Sequence, residues 1–292
     1  MKKIVVAGSL NYDIFVEAPR RPLKGETLTG YKWYPKFGGK GGNQALSAAK
    51  CGCNVIMVGA LGNDSFGKSM CNVLTSHKVD TSYLQNCEKT GSGISVAIMD
   101  DEGDYGAVIV GGANVQIDNS VFLNETLWND VGMLILQNEV AEETNLIAAR
   151  EAKKRGIKVC INAAPVKVMN PELLKMIDIL VVNEVEATSI CKIKVDSLHS
   201  ALDACLQLVK DFPYVVVTAG GNGVAYAASD GSKGTVEALK IKLISTHGAG
   251  DCFVGALCSR LVNNESIAES VIFANKIAAE HVSTTHEDLV LN

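Results

Sequence analysis

Three clusters of small and polar residues could carry chemistry. Thr246-His-Gly-Ala-Gly-Asp251 sets two glycines and an acid directly before the apolar run Cys252–Cys258. Gly248, Ala249 and Gly250 let consecutive backbone N–H groups converge at a helix start, an anion hole suited to a developing phosphoryl charge. Asp251 at that spot is either a helix N-cap or a general base taking a proton from a hydroxyl, and spacing leaves the two even. Upstream, Phe37-Gly-Gly-Lys-Gly-Gly-Asn43-Gln44 places four glycines around one lysine before a helix of small residues. Missing Cβ atoms let a ligand reach helix N-terminal donors, and Lys40 and Asn43 add a charge and an amide for hydroxyls. Four glycines are an entropically costly way to make a plain turn, so binding is favoured.

The third cluster, Gly62-Asn-Asp-Ser-Phe-Gly67-Lys68-Ser69, satisfies the phosphate-loop pattern G-x-x-x-x-G-K-[ST] between a strand and a helix. Ile94–Met99, ending at Asp100, could supply a magnesium-binding acid. Two features oppose this reading: the Asp64 carboxylate would face the polyphosphate, and Asp100 opens a turn. The plainer reading is that Asp64 or Ser65 caps an ordinary helix.

Weaker signals sit at the ends of expected strands. Asn11 and Asp13 follow the first strand, where open α/β sheets bind ligands. Asn183-Glu-Val-Glu186 follows Ile179–Val182 and either faces a metal or phosphate or forms an acidic helix start. Thr218-Ala-Gly-Gly-Asn-Gly223 is a glycine loop without dinucleotide-fingerprint spacing, and no G-x-G-x-x-G follows the first strand, which disfavours a dehydrogenase. His281 and His286 read as surface residues rather than metal ligands.

These clusters need elements to hold them. Short β-branched runs (Val131–Leu136, Ile157–Ile161, Ile179–Val182, Tyr214–Thr218) alternate with helical patterns such as Ala141–Arg155 and Leu198–Lys210. Runs apolar on both faces suit a parallel sheet covered by helices on each side. Val55–Leu61, between a helix over Asn43–Cys51 and another after Asp64, extends the pattern backwards. Ile14–Phe37 and Gly93–Val110 break it with apolar/polar alternation and turn signals at Pro22–Gly25 and Asp100–Asp104. They predict hairpins pairing into a small antiparallel sheet, as a lid or as an extra edge of the main sheet.

Composition bounds the class. A chain of 292 residues, 47% of them hydrophobic, can bury a large core and is not a disordered segment. Lys+Arg 27 against Asp+Glu 32 gives a net charge of -5. No basic excess is present to neutralise nucleic-acid phosphates, so the expected partner is a small molecule. Nothing approaches the roughly 18 apolar residues of a membrane span, and the N-terminal apolar run lacks a cleavage site, so it reads as a strand. Nine scattered cysteines with no C-x-x-C pair fit reduced thiols in the cytoplasm.

Gly38-Gly-Lys-Gly-Gly-Asn43, Asn183-x-x-Glu186 and Gly248-Ala-Gly-Asp251, in that order and spacing, resemble the ribokinase-like (PfkB) carbohydrate kinases, and among them the ribokinases. Similarity at Gly25-Glu26-Thr27, Gly62-Asn-Asp64 and Ile161-Asn-Ala-Ala-Pro165 extends the resemblance over nearly the whole chain. It implies an α/β three-layer sandwich with a central, mainly parallel sheet plus a small β-sheet lid. Residues 1–13, 38–92 and 111–292 would form the core, and 14–37 and 93–110 the lid. The implied activity is ATP- and Mg2+-dependent phosphorylation of a primary hydroxyl on ribose or a similar small sugar. Alternatives are a nucleoside, deoxyribose or fructose-type substrate, or a non-catalytic sugar-binding regulator.

Carried over by position, Asn11, Asp13, Gly39, Lys40, Asn43 and Glu139 would hold the sugar. Asp251 would be the general base, with Gly248, Ala249 and Gly250 as the anion hole. Asn183, Thr218, Gly220, Gly223 and Asn275 would contact ATP, and Glu186 would help place magnesium through water. The resemblance makes the Lys68 match accidental and suggests a homodimer through the lid, without nucleic-acid or membrane partners. Ser245 replaces an aspartate that helps hold an activating potassium ion, and Thr285-His-Glu-Asp288 lacks the Gly-Ala stretch that supplies carbonyls to that ion. Both changes speak against potassium activation.

Overall fold

Strands that are apolar on both faces must be covered on both sides, and the computed structural model has this arrangement. It describes residues 2–102, 105–286, 289 and 291. Gly103 and Asp104 of the acidic turn, and Glu287 and Asp288 of the tail, lie outside the described residues. In chain order the elements begin β1 (Lys3–Ala7), β2 (Asn11–Glu17), β3 (Lys32–Gly38), α1 (Lys40–Lys50), β4 (Val55–Gly62), α2 (Ser65–Ser76), β5 (Asp80–Cys87), β6 (Gly93–Met99) and β7 (Tyr105–Val110). They continue with β8 (Val131–Gln137), α3 (Glu142–Lys154), β9 (Lys158–Asn162), α4 (Pro171–Leu174), β10 (Ile179–Asn183), α5 (Glu184–Cys191), α6 (Leu198–Leu208), β11 (Tyr214–Thr218), β12 (Gly223–Ala228), β13 (Lys233–Glu237), α7 (Ala249–Leu261) and α8 (Ile267–Val282).

The main sheet has nine strands in the order β13-β12-β11-β10-β9-β8-β1-β4-β5. All pairings from β11 through β5 are parallel; β12 and β13 join antiparallel at one edge. Alternate side chains feed two cores, as the two-residue period of a strand requires. From β1, Ile4 and Val6 pack with Leu46 of α1, Phe253 and Leu257 of α7 and Val271 of α8. Val5 and Ala7 point oppositely, into a cluster with Leu146 of α3 and Ala201 and Cys205 of α6. All nine cysteines are free. Among the described residues no helix is long and apolar enough to cross a membrane.

The second sheet, β3-β2-β6-β7, is separate from the first, so the extra-edge alternative does not occur. Both hairpins form, but they meet through a parallel β2–β6 pair, Asn11 opposite Gly93. The expected all-antiparallel sheet fails for a topological reason. β1 and β5 are parallel, so the chain leaves both on the same rim, and β2 and β6 run outward side by side. Two boundaries also move. β2 starts at Asn11, which puts Asn11 and Asp13 on the small sheet, and α1 starts at Lys40 rather than Asn43. Gly41 allows that earlier start, since a Cβ there would lie 2.7 Å from the Gly8 carbonyl carbon.

Candidate active site

The carboxyl ends of the parallel strands, the root of the small sheet and the N-terminus of α7 enclose a cavity of about 800 Å3. Gly248 caps α7 in a left-handed conformation (φ 73°) and supplies no side chain to the helix end. By contrast, Asp64, Asn183, Ser197 and Ser266 cap their helices with side-chain oxygens. The first-turn N–H groups of α7, at Gly250 and Asp251, are thus left to the cavity. Asp251 occupies the third helical position and does not cap. Its carboxylate, 7% exposed, accepts from Asn43 Nδ2 at Oδ2 (3.3 Å) and from Gln44 Nε2 at Oδ1 (3.0 Å). The two readings left even by spacing are separated by geometry: the carboxylate faces α1 and the cavity, not its own helix.

On the small-sheet side, Asn11, Asp13, Gly39, Lys40, Asn43 and Glu139 all line the cavity. Asn11 Oδ1 accepts from the buried Asn114 amide (2.8 Å), which also brackets the Leu10 backbone. Glu139 accepts from Lys40 N (3.0 Å) and the Ser9 hydroxyl (2.5 Å), anchoring the glycine loop. Gly38 is required: a Cβ there would fall 1.9 Å from Asp13 Oδ2. Asp13 is 6% exposed and its Oδ1 has no hydrogen-bond partner. Burial, then the charges of Glu139 and Asp251, push its carboxyl up to about 7. Its Oδ2 lies 3.5 Å from His247 Nε2, and the His247 ring sits edge-on to Phe15. Burial, then Lys36, His281 and Lys40, push His247 down to about 4. The ring keeps 40% of its surface in solvent, which screens part of that effect without reversing it. At neutral pH the contact is therefore between a neutral imidazole and a half-protonated acid, not an ion pair.

On the opposite side, Asn183 and Thr218 end the adjacent strands β10 and β11 in register and both line the cavity. Asn183 and Glu186 form a reciprocal capping box: Asn183 Oδ1 accepts from Glu186 N (2.9 Å) and Glu186 Oε2 from Asn183 N (2.9 Å). Glu186 nevertheless reaches the cavity wall, and burial raises its pKa against the lowering effect of the Asn183 N–H. Gly220, Gly223 and Asn275 do not line the cavity. Gly223 holds φ 119° where a Cβ would meet Val236 O at 2.1 Å, and Asn275 Nδ2 donates to Glu237 O (2.9 Å), tying α8 to β13.

The site thus combines a buried carboxylate, an uncapped helix start and a polar wall. Comparison with known proteins places the chain in a family. The family model described as pfkB family carbohydrate kinase matches residues 1–288. The chain belongs to this family. It is 31% identical over 284 residues to the ribokinase of Haemophilus influenzae, covering 97% of this chain and 92% of the relative. It is 33% identical over 281 residues to the ribokinase of Bacillus subtilis, covering 96% and 92%. The solved structure of Arabidopsis thaliana ribokinase complexed with ribose and ATP aligns with a TM-score of 0.88 at 28% identity, covering 97% of this chain and 93% of that one.

In this PfkB carbohydrate kinase the phosphate-loop match is a helix cap. Asp64 Oδ1 accepts from Gly67 N (2.7 Å) and the Ser92 hydroxyl (2.7 Å), and Oδ2 from Ser92 N (2.8 Å). The loop is filled by its own carboxylate. Burial would raise that acid, but the N–H groups of Ser92 and Gly67 hold it below its ordinary value. Lys68 is exposed, and Lys68→Ala is expected to change kcat and the KM for ATP by less than about twofold, whereas a true phosphate-loop lysine would cost orders of magnitude. Steady-state kinetics with ATP varied decide between the two.

Several residues at the site escape a reading of the sequence. Gln44, Ser9, Asn114 and His247 all touch its named members, but their partners are remote along the chain. His281 is not a plain surface residue either. It is half-buried, its Nε2 lies 2.9 Å from the His247 carbonyl, and it stacks on His286 at 4.1 Å. Among the described residues no group of three His, Cys, Asp or Glu could hold a metal ion.

Proposed function

We propose that this chain transfers the γ-phosphoryl group of ATP to a primary hydroxyl of ribose or a similar small sugar, as a cytoplasmic enzyme. The observation that carries the reading is the placement of Asp251. A buried carboxylate stands at an uncapped helix N-terminus, inside one cavity, between a wall of hydroxyl-binding side chains and the ends of two strands. Sugar hydroxyls would be held by Asn11, Asp13, Gly39, Lys40, Asn43 and Glu139. As the reacting sugar oxygen bonds to the γ-phosphorus, Asp251 takes its proton, the β–γ bridging bond breaks and ADP leaves. Of the expected anion hole of Gly248, Ala249 and Gly250, the Ala249 N–H is taken by Thr246 O (3.2 Å), so the charge spreading over the transferred oxygens would fall to the N–H groups of Gly250 and Asp251, with Gly248 keeping the helix end clear of side chain. Asn183 and Thr218, on the cavity wall, would serve the nucleotide side, whereas Gly220, Gly223 and Asn275 lie outside the cavity and would meet only a part of the nucleotide that extends beyond it.

A divalent ion would be carried mainly by the phosphates. Magnesium keeps several waters and needs one or two carboxylates, and Glu186 is a buried acid on that wall whose charge burial penalises. When bound, magnesium neutralises phosphate charge. We assign residues 14–37 and 93–110 as a lid and the remainder as the core. Closure would exclude water, the nucleophile that otherwise hydrolyses ATP. Val108, Ile109 and Val110 lie exposed on β7, which pairs with β6 on one side and has no neighbouring strand on the other among the described residues; this supports self-association of two lids.

A coupled ADP-release assay across ribose, 2-deoxyribose, fructose, fructose 6-phosphate, adenosine and pseudouridine tests the reading. Ribose is expected to give the highest kcat/KM, and no substrate exceeding background ATP hydrolysis would refute it. Potassium is expected to leave the rate unchanged. Ser245 carries no charge, and its hydroxyl accepts from the His247 N–H (3.3 Å). A several-fold activation by potassium over sodium would show that an ion site exists despite Ser245.

A further inference from the structure

Gln44 is fully buried in the first turns of α1, one residue after the sugar-loop asparagine. Its Nε2 donates to Asp251 Oδ1 (3.0 Å) and to Asn162 Oδ1 (3.2 Å), and its Oε1 accepts from Gln137 Nε2 (2.8 Å). Gln137 is also fully buried, and its own Oε1 has no partner. The direction of the chain follows from Asp251. An ionised carboxylate only accepts, so the amide end facing it must be NH2. That turns Gln44 Oε1 towards Gln137, whose NH2 must then face back, leaving Gln137 Oε1 alone. Buried polar atoms normally find partners, and one left unmatched is accounted for by the arrangement it serves. The backbone is shaped to the same end. Gly255 lets α7 approach α1 so closely that a Cβ there would lie 2.5 Å from Gln44 O, and Gly8 leaves room for Gln137 Oε1, only 1.9 Å from where its Cβ would stand.

We infer that Gln44, backed by Gln137, is the positioning residue for Asp251, fixing the oxygen that must meet the sugar hydroxyl. Asn43 reaches the other carboxylate oxygen at a longer 3.3 Å. One helix therefore both borders the sugar loop and aims the base. The inference rests on the kinase reading of the site and on Asp251 as its base. Gln44 does not line the cavity and acts through Asp251 alone.

The test is a double-mutant cycle on kcat, using Gln44→Met, which keeps the volume and removes the amide. Misaiming a catalytic group by about 1 Å costs around 10- to 100-fold, so Gln44→Met is expected to lower kcat by that much. The KM for the sugar should move less than about threefold, because no sugar contact is lost. In an Asp251→Asn background the same substitution should cost nothing further, since residues acting as a unit are non-additive. Gln137→Met, which unties Gln44 Oε1, is expected to give a smaller fall with the same pattern, and it serves as the readout if Gln44→Met does not fold. Unchanged kcat in the variants, or equal losses with and without Asp251, would overturn the inference. An inactive wild-type chain on every acceptor would instead refute the kinase reading itself.

Discussion

Asp251→Asn is expected to lower kcat by about 10²- to 10⁴-fold, the range that general-base catalysis contributes. The substitution is close to isosteric. Asn Oδ1 can still accept from Gln44, and its Nδ2, which then faces Asn43 Nδ2, is met by turning the Asn43 amide so that its oxygen accepts, so the fold should persist. What disappears is the acceptor that, on the proposed mechanism, takes the proton as the sugar oxygen attacks phosphorus. The expected signature is a loss in kcat with the sugar KM changed less than about threefold, because the interaction is made in the transition state and not in the ground state. Single-turnover measurements give the chemical step directly, and a fully active variant would remove Asp251 from the mechanism. One secondary effect provides a control. The Asp251 charge is among the causes that raise Asp13, so neutralising it should let Asp13 ionise more readily and improve sugar retention near neutral pH.

The elements legible in the sequence are those whose signal is local. β8 to β11 announce themselves because each is apolar on both faces, and the glycine loop and α7 start because Gly and Asp at a helix beginning have few other uses. β5 is not legible. As an edge strand reading Asp-Thr-Ser-Tyr-Leu-Gln-Asn-Cys, it is only partly buried and carries no continuous apolar run. The parallel β2–β6 pairing is hidden because strand direction is set by where the chain leaves the main sheet, which no window of residues records. The site divides in the same way. Asp251, Lys40 and Asn43 can be singled out by type and neighbourhood. Gln44 and His247 cannot, because their meaning lies in partners far away in sequence: Gln44 meets Asp251 across 207 positions and Gln137 across 93. The Asp251 cap-or-base ambiguity has the same origin, since only the approach of α1 to α7 decides where that carboxylate turns.

The second large effect is expected at Asp13, where function and stability pull in opposite directions. Asp13→Asn should weaken sugar binding by about 10- to 100-fold, the cost of losing charge-assisted hydrogen bonds to one or two hydroxyls. The same change should stabilise the protein at alkaline pH. In the unfolded chain the carboxyl releases its proton near 3.8, while in the folded protein burial beside Glu139 and Asp251 holds it up to about 7. Between those values the native state binds more protons than the unfolded state, so stability falls as pH rises through the window. The penalty is absent below the unfolded value and complete above about 7. A rise of that size corresponds to an upper bound of about 4 kcal/mol. Asn removes this pH-dependent part. It introduces a buried amide whose own cost, about 1–3 kcal/mol if unpaired, does not vary with pH. The slope is therefore the diagnostic, not the absolute stability. Melting temperatures measured from about pH 4.5 to about pH 8.5, covering most of the titration window, should show the difference between Asp13→Asn and wild type tilting by several degrees in favour of the variant as pH rises. Parallel curves would mean that burial does not penalise the Asp13 charge. Ribose should raise the wild-type melting temperature and leave the variant's nearly unchanged at equal concentration. On the proposed sugar-binding reading, a chain that keeps a destabilising buried acid, with Gly38 left bare to make room for it, does so because sugar hydroxyls would supply the partner that Asp13 Oδ1 lacks within the protein.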